Sequence, residues 1–159
     1  MSSTFLIEEN IETVFSLLTD PDFLVDRSLA VGELSAEVEV EELGAITTII
    51  MTREVERELP KFLAKLFNTK QVLHVKETWQ PEGDCYKGKS VFTVEGQPVK
   101  VDTTMTLKPQ GEHCEFSISY KAKANIPLVG GKVEKFIISN CEEGTAKEID
   151  FLKQQLTTV

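Results

Sequence analysis

Histidines and cysteines, which often serve in catalysis or metal binding, are few in this chain, and most lie far apart in sequence. The two histidines are His74 and His113, and no cysteine or carboxylate lies at a metal-ligand spacing from either. His74 falls within an alternating segment, where a buried imidazole could act as a general base or orient a polar ligand group. A lone histidine in a strand is more often structural, and His113 lies in a polar turn. We therefore expect no catalytic residue and no metal site.

The three cysteines, Cys85, Cys114 and Cys141, form no CxxC pair and are odd in number, which favours reduced thiols over a disulfide framework. Apart from the adjacent His113 and Cys114, no histidine lies near a cysteine in sequence, and we expect no activated thiolate, although distant partners stay open. A Gly-x-Ser-x-Gly elbow is missing, and Gly130-Gly131-Lys132 lacks the earlier glycine of a phosphate-binding loop. We expect those two glycines to turn the chain from a strand into a helix, and we expect no cofactor.

Acidic side chains dominate the charge, with a formal net charge of -9. Such a surface should repel nucleic-acid phosphates and anionic membrane surfaces, so we expect no nucleic-acid partner. The densest acidic strip follows one strand, whereas a cation site would need carboxylates that converge from several elements. We therefore interpret as a solvated face the glutamates Glu33, Glu37, Glu39, Glu41 and Glu42.

The elements that position these residues follow from periodicity and breakers. A short strand at residues 4–7 precedes two helices, the first capped by Asn10 and the second by Asp20 with Pro21 at its first position. Six further strands alternate with turns of hairpin length, and a long helix closes the chain. An antiparallel sheet with helices on one face satisfies this order. The six strands are predicted at residues 33–41, 45–55, 70–80, 85–95, 99–108 and 115–126.

The last strand and the last helix present matching apolar faces. In the strand the apolar side chains are Phe116, Ile118, Tyr120, Ala122 and Ala124, and in the helix the apolar stripe comprises Val133, Phe136, Ile137, Cys141, Phe151, Leu152 and Leu156. Gly144 interrupts that stripe where a filled core would favour a larger side chain. This pattern favours a cavity between sheet and helix, although ordinary packing could bury the same residues without a void.

Three segments carry a resemblance to a known superfamily. They are VFSLLTDPDFL at residues 14–24, ETW at 77–79 and IPLVGGKVEKF at 126–136. With the order of elements, they resemble a bacterial branch of uncharacterised function within the START or birch-pollen-allergen superfamily, also called SRPBCC. The resemblance covers nearly the whole chain and implies one α+β domain over residues 1–159. Its helix-grip fold would wrap a curved antiparallel sheet of about seven strands, in the order β-α-α-β6-α, around the C-terminal helix.

The resemblance implies binding or processing of a small hydrophobic molecule, such as a lipid, polyketide, sterol or quinone. Because the sequence contains no concentrated polar catalytic cluster, we predict non-catalytic binding or transport. One alternative is a cyclase or aromatase type of enzyme, which would need His74, Tyr120 or Thr103 to converge in the cavity. Another is a protein-interaction domain with a packed core. Without a signal peptide or a membrane span in the sequence, we expect a cytoplasmic protein with no stable membrane insertion.

Candidate ligand-binding residues come from the apolar strand faces, the final helix and the apolar segment at residues 59–67. We interpret this segment as a flap that could cover the mouth of the cavity, although it could equally be a plug that fills the interior. Thr48, Thr78 and Thr103 are further sources of hydroxyl groups, although β propensity alone explains threonine in strands. The predicted ligand-binding set is Ile50, Phe62, Leu66, His74, Phe92, Val101, Thr103, Met105, Ile118, Tyr120, Phe136, Ile137, Cys141 and Gly144.

Overall fold

One antiparallel sheet of seven strands dominates the computed structural model, which describes residues 2–157. The predicted order of elements is confirmed, with one short additional helix, α3, inside the flap segment. The strands are β1 (Ser2–Ile7), β2 (Ser35–Leu43), β3 (Ile46–Glu56), β4 (Lys70–Glu82), β5 (Cys85–Val94), β6 (Val99–Gln110) and β7 (His113–Ala124). The helices are α1 (Ile11–Leu18), α2 (Pro21–Ala30), α3 (Lys61–Ala64) and α4 (Gly130–Thr157).

Side-chain caps start α1 and α2 as predicted. Asn10 Oδ1 accepts a hydrogen bond of 2.9 Å from the backbone N–H of Thr13, and Asp20 Oδ1 accepts one of 3.1 Å from that of Asp22. Pro21 occupies the first position of α2, where its fixed φ suits the helix and its missing N–H leaves no bond unmade. Both helices therefore begin where local chemistry dictates.

The sheet has the strand order β1-β7-β6-β5-β4-β3-β2. Each strand from β2 to β6 pairs antiparallel with its successor, and β1 pairs with β7, so that Phe5 lies opposite Phe116. The connections are short turns except between β3 and β4, where residues 57–69 contain α3. Helix α4 packs mainly on β7, with smaller contacts to α2 and β1. Because those partners lie toward one edge of the sheet, much of the inner face of β3 to β6 is left for side chains and open space.

The connection from β7 to α4 differs from the predicted glycine turn. Gly130 and Gly131 already belong to α4, and the residue with positive φ is Leu128, at +71°. A Cβ on Gly130 would lie 2.7 Å from the carbonyl oxygen of Ala124, so glycine is needed there for close approach rather than for a turn.

Buried apolar side chains form two clusters rather than one core. The first, which we name the proximal cluster, packs α1 and α2 against the sheet and includes Trp79, Met105, Phe116, Ile149 and Leu152. The second, the distal cluster, lies beneath α3 and consists of Val55, Leu63, Leu73, Val94, Val99, Ala124 and Val133. The space between the two clusters is the site described next.

Candidate functional site

A cavity of about 640 Å³ lies between the inner face of the sheet and α4. Its size falls within the range of pockets that hold small molecules. Lining residues that also reach solvent mark its opening between the α2–β2 connection, the end of β3 and the middle of α4. They are Gly32, Glu56, Glu58, Glu143 and Lys147.

Apolar side chains from both clusters form most of the cavity wall. The proximal cluster supplies Met105, Phe116 and Ile118, and the distal cluster supplies Val99 and Val133. At Gly144, an added Cβ would meet no atom within 4 Å, so open space adjoins the helix at this residue. The cavity is therefore bounded by packed side chains but is not filled by them.

The flap segment closes the distal side of the cavity. Leu59, Leu63 and Phe67, each four residues after the last, line the cavity. Phe62 does not border the cavity, and its ring lies beneath Lys132 Nζ, 4.7 Å from the ring centroid. Leu66 is 39% exposed. The flap segment therefore borders the cavity through Leu59, Leu63 and Phe67, and not through the predicted residues Phe62 and Leu66.

Glu77 and Trp79 form a polar pair on the cavity side of β4. Trp79 Nε1 donates a hydrogen bond of 2.8 Å to Glu77 Oε2. Burial raises the pKa of the Glu77 carboxyl above its usual range, and this effect outweighs the opposing effects of the Trp79 hydrogen bond and the Arg27 charge. A protonated Glu77 can donate and accept hydrogen bonds inside the cavity.

Beside this pair, two arginines and two glutamates form a charge network. Arg53 donates two hydrogen bonds to Glu33, of 2.8 and 2.6 Å, and one of 3.2 Å to Glu148. Arg27 Nε lies 3.6 Å from Glu148 Oε2 and has no hydrogen-bond partner among the described residues. Burial acts to lower the pKa of Arg53, but Glu148 and Glu33 outweigh it and hold this pKa above its ordinary value. The network balances its own charges and lines one side of the cavity.

A third polar group joins β7 to α4. The Tyr120 hydroxyl is hydrogen-bonded to Thr145 and lies 3.4 Å from the backbone oxygen of Cys141. Burial raises the pKa of Tyr120 above its usual range and that of the Cys141 thiol to about 11, so both groups stay protonated at neutral pH. Thr103, directly opposite Tyr120 in the register of β6 and β7, is buried at the cavity wall.

Nine residues of the predicted ligand-binding set line the cavity, and their contact with a ligand stays a prediction. They are Phe92, Thr103, Met105, Ile118, Tyr120, Phe136, Ile137, Cys141 and Gly144. The other five, Ile50, Phe62, Leu66, His74 and Val101, lie outside the cavity lining.

Strand register explains the main corrections. Thr47, Ile49 and Met51 are the buried face of β3, so Ile50, which is 43% exposed, points outward. His74 lies on the outer face of β4, where its Nε2 is 3.3 Å from Glu95 Oε1.

Val101 is fully buried but does not border the cavity. Thr48 and Thr78 pair with each other on the outer face of the sheet, so neither offers its hydroxyl to the cavity. Among the three threonines considered, only Thr103 lines it.

The acidic strip also requires one correction. Glu37, Glu39, Glu41 and Glu42 are exposed, as a solvated face requires. The side chain of Glu33 is only 8% exposed because its carboxylate turns inward to Arg53.

The interior charges were missed as site residues, although the sequence contains their signal. Glu77 shares its face of β4 with Leu73, Val75 and Trp79, and Arg53 falls in alternation between Met51 and Val55. A charged residue in phase with buried apolar neighbours indicates an interior polar site.

Two further properties concern the part of the chain that the structure describes. Over residues 2–157, no three His, Cys, Asp or Glu side chains are grouped so that they could hold a metal ion. No helix in this range has both the length and the apolar character needed to cross a bilayer.

Comparison with known proteins supplies a family and a fold. The family model described as "protein of unknown function (DUF2505)" matches residues 3–156. No curated protein sequence matches the chain. Similar solved structures include a START superfamily protein from Mycobacterium smegmatis, with a TM-score of 0.67 and 14% identity over 99% of this chain and 98% of that chain.

Two other solved structures agree. A STAR-related lipid transfer protein fragment from Xanthomonas axonopodis has a TM-score of 0.63 and 12% identity over 98% of this chain and 84% of that chain. A protein from Thermus thermophilus has a TM-score of 0.66 and 18% identity over 99% and 97% of the two chains. At these identities the likeness establishes the fold, and the predicted helix-grip architecture is confirmed.

Proposed function

This chain belongs to the DUF2505 family, and we propose that it binds or carries a small amphipathic molecule between its sheet and α4, without transforming it. The observation that carries the proposal is the cavity of about 640 Å³, which has apolar walls and one polar side. The START and lipid-transfer neighbours, which share its fold, support this class of ligand.

Apolar walls favour a ligand that is mostly hydrocarbon. Side chains such as Phe92, Met105, Ile118 and Phe136 border this open space. Atoms that line an empty cavity lack dispersion contacts on one side, whereas protein interiors are normally close-packed. A hydrophobic ligand in the cavity would supply those contacts. The opening at the end of β3 gives a route of entry that leaves the sheet intact.

The polar side favours a ligand with one neutral oxygen function. Arg27 and Arg53 are paired with Glu33 and Glu148, so the Glu77 carboxyl has no ion pair of its own among the described residues. Because burial favours its protonated form, Glu77 can donate a hydrogen bond to a hydroxyl or carbonyl oxygen. A ligand that carried a full negative charge would add an unbalanced charge in a region of low dielectric.

Intrinsic fluorescence gives a direct test, since Trp79 is the single tryptophan of the chain and lines the cavity. We would titrate the protein with decanol, decanoic acid and decylamine, which share a chain length and differ in the polar end. Saturable changes in Trp79 emission, strongest with decanol, are expected. Native mass spectrometry followed by denaturing extraction would then identify a ligand that co-purifies. If none of the three probes changes the emission and the protein has its apo mass, the binding proposal fails.

Gly144 provides a matched pair of control variants. Gly144→Leu places a side chain in the open space beside α4 and should reduce decanol affinity by at least about tenfold, since it removes volume that the alkyl chain would fill. Gly144→Ala adds one methyl group where no atom lies within 4 Å and should bind nearly as the wild type does. Equal affinities for both variants would indicate that the probes bind elsewhere.

The two alternatives are weaker on specific grounds. The cyclase or aromatase alternative required polar groups to converge in the cavity, and although Thr103 and Tyr120 line it, His74 lies outside. The remaining hydroxyl groups provide no base at neutral pH, because burial raises the pKa of Tyr120. The interaction-domain alternative predicted a small interior, and a cavity of about 640 Å³ does not fit it.

A further inference from the structure

Positive charge is concentrated in two segments of this otherwise acidic chain. Residues 59–70 and 121–135 together contain seven lysines and one glutamate, whereas the whole chain has a net charge of -9. The glutamate, Glu134, is bound within the fold, where its carboxylate accepts a 2.8 Å hydrogen bond from the backbone N–H of Ala124. The repulsion of anionic surfaces that the net charge suggests is therefore not uniform over the molecule.

The fold brings both segments to one end of the molecule. The distal cluster packs Leu63 of the first segment against Ala124 and Val133 of the second. The two segments also touch where Lys132 lies over the ring of Phe62. We name this surface the lysine-rich end, and its exposed cations include Lys61, Lys65, Lys123, Lys132 and Lys135.

Like charges also meet directly across this end of the sheet. Lys123 of β7 lies opposite Lys100 of β6, and both are exposed. Asp102 offsets part of the Lys100 charge, since its Oδ1 lies 3.9 Å from Lys100 Nζ at an exposed site. A like-charged pair in this position is unfavourable for folding. Its presence is accounted for if a negatively charged surface covers it.

Exposed leucines accompany the lysines. Leu128, in the loop before α4, is fully exposed and has a φ of +71°, a conformation that leucine rarely adopts. Leu66, after α3, is also exposed. The lysine-rich end thus offers flexible cations around isolated apolar side chains.

From this arrangement we propose that the lysine-rich end docks on the surface of an anionic lipid bilayer, with Leu128 and Leu66 inserted at the level of the headgroups. Lysines near an anionic bilayer each contribute to attraction, and a few apolar side chains anchor a protein shallowly. Two separate leucines are too few for the packed apolar centre of a protein interface. The seven basic residues include no arginine, the side chain favoured for bidentate recognition of nucleic-acid phosphates.

Docking in this orientation has a consequence for the cavity. The flap residues Leu59, Leu63 and Phe67 line the cavity and belong to the same end of the molecule. A bilayer at this end would lie against the flap, so that an amphipathic molecule could pass between lipid and cavity beneath it. This consequence rests on the proposed function, whereas docking itself does not.

Vesicle co-sedimentation tests the docking. Full-length protein would be mixed with vesicles of phosphatidylcholine alone or of phosphatidylcholine with phosphatidylglycerol, at low and at physiological salt. We expect sedimentation with the anionic vesicles, weakened by salt, and little with the neutral ones. The variant Lys132→Glu/Lys135→Glu should bind anionic vesicles at least about 30-fold more weakly, since each lost lysine is worth about 1 kcal/mol and each new glutamate adds repulsion.

A charge-matched variant controls for total charge. Lys89→Glu/Lys153→Glu changes the net charge equally at exposed sites, and Lys153 lies about 27 Å along α4 from Lys135. It should dock nearly as the wild type does, while Leu128→Asn, which tolerates positive φ, should dock several-fold more weakly. Circular dichroism would verify that each variant is folded.

Three outcomes would overturn the proposal: no binding to anionic vesicles, equal binding to both vesicle types, or equal loss in the two charge variants. If the protein does not bind anionic vesicles, an acidic protein surface becomes the partner that these lysines favour. Gly144→Leu separates docking from ligand binding, because it obstructs the cavity without touching the lysine-rich end. Its docking should equal that of the wild type even if no ligand for the cavity exists.

Discussion

Trp79 Nε1 donates a hydrogen bond of 2.8 Å to Glu77 Oε2, two residues earlier on the same inward face of β4. This bond satisfies the buried indole N–H and fixes the carboxyl within the cavity. Within the described residues no other hydrogen bond holds the Glu77 carboxyl, so its second oxygen is available to a ligand.

The variant Glu77→Gln should be more stable than the wild type at neutral pH. Because the pKa of Glu77 is raised in the folded state, the folded protein binds more protons than the unfolded chain above the ordinary pKa of 4.5. The free energy of unfolding of the wild type therefore falls, relative to that of the variant, as pH rises from about this value through the folded pKa. Glutamine keeps an oxygen for Trp79 and has no proton to lose.

Urea unfolding at several pH values between about 4 and about 8 measures this difference. The exposed turn residue Glu112 supplies the control, since Glu112→Gln should give no comparable change with pH. A gap between Glu77→Gln and wild type that stays constant across this range would contradict the prediction.

Breaking the charge network at Arg53 should destabilise the fold strongly. Arg53→Met leaves Glu33 without its two hydrogen bonds and Glu148 without one. Removing one partner of a buried ion pair typically costs about 3–5 kcal/mol, and we expect a loss in this range by thermal or urea unfolding. Adding Glu33→Gln to Arg53→Met should recover part of it. A loss below about 1 kcal/mol would show that water already solvates this network.

Gly88 should not tolerate alanine. It lies directly across from Trp79, and a Cβ there would stand 2.9 Å from three atoms of the indole ring. Gly88→Ala must displace the ring, at a cost of about 1–3 kcal/mol and with a change in tryptophan emission. Gly131→Ala is the matched control, since its Cβ would meet no atom within 4 Å and its φ is not positive. Unchanged tryptophan emission in Gly88→Ala would show that the Trp79 ring does not lie against residue 88.

Gly144→Ala should raise the free energy of unfolding by about 0.5–1 kcal/mol, because alanine favours the helix and meets no neighbour. Chemical denaturation of this variant beside the wild type checks the prediction. A loss of stability would indicate that the space beside Gly144 is smaller than described.

Cys141 should react slowly with iodoacetamide and become protected by a ligand. Its pKa is about 11, so the reactive thiolate is scarce near pH 8 and the labelling rate should rise about tenfold per pH unit up to about pH 10. In a Cys85→Ser background, mass spectrometry would follow Cys141, since Cys114 is fully buried. Decanol should slow the labelling, because Cys141 lines the cavity.

The order of elements was predictable because its signals are local. Asn10 and Asp20 cap helices through side-chain bonds to the next few residues, and β7 alternates clearly between the buried Phe116 or Ile118 and half-exposed Ser117. Each signal needs only a short stretch of chain to be recognised.

The facing of β3 was not predictable in this way. The run Ile49-Ile50-Met51 has apolar residues on both faces, so alternation does not distinguish inside from outside, and an error of one residue reverses the assignment. The flap had the same difficulty, since Phe62 and Leu63 are adjacent and only Leu63 faces the cavity. The interaction of Arg53 with Glu148 depends on residues 95 positions apart, which only the fold brings together.

The acidic face of β2 affects how the protein behaves at high concentration. β2 forms one edge of the sheet, and an edge strand can template pairing with a strand of another molecule. Glu37, Glu39 and Glu41 are exposed along this strand and would face like charges if two such edges approached. The strip thus disfavours aggregation through this edge, and this protection should weaken in acid as the carboxylates become neutral.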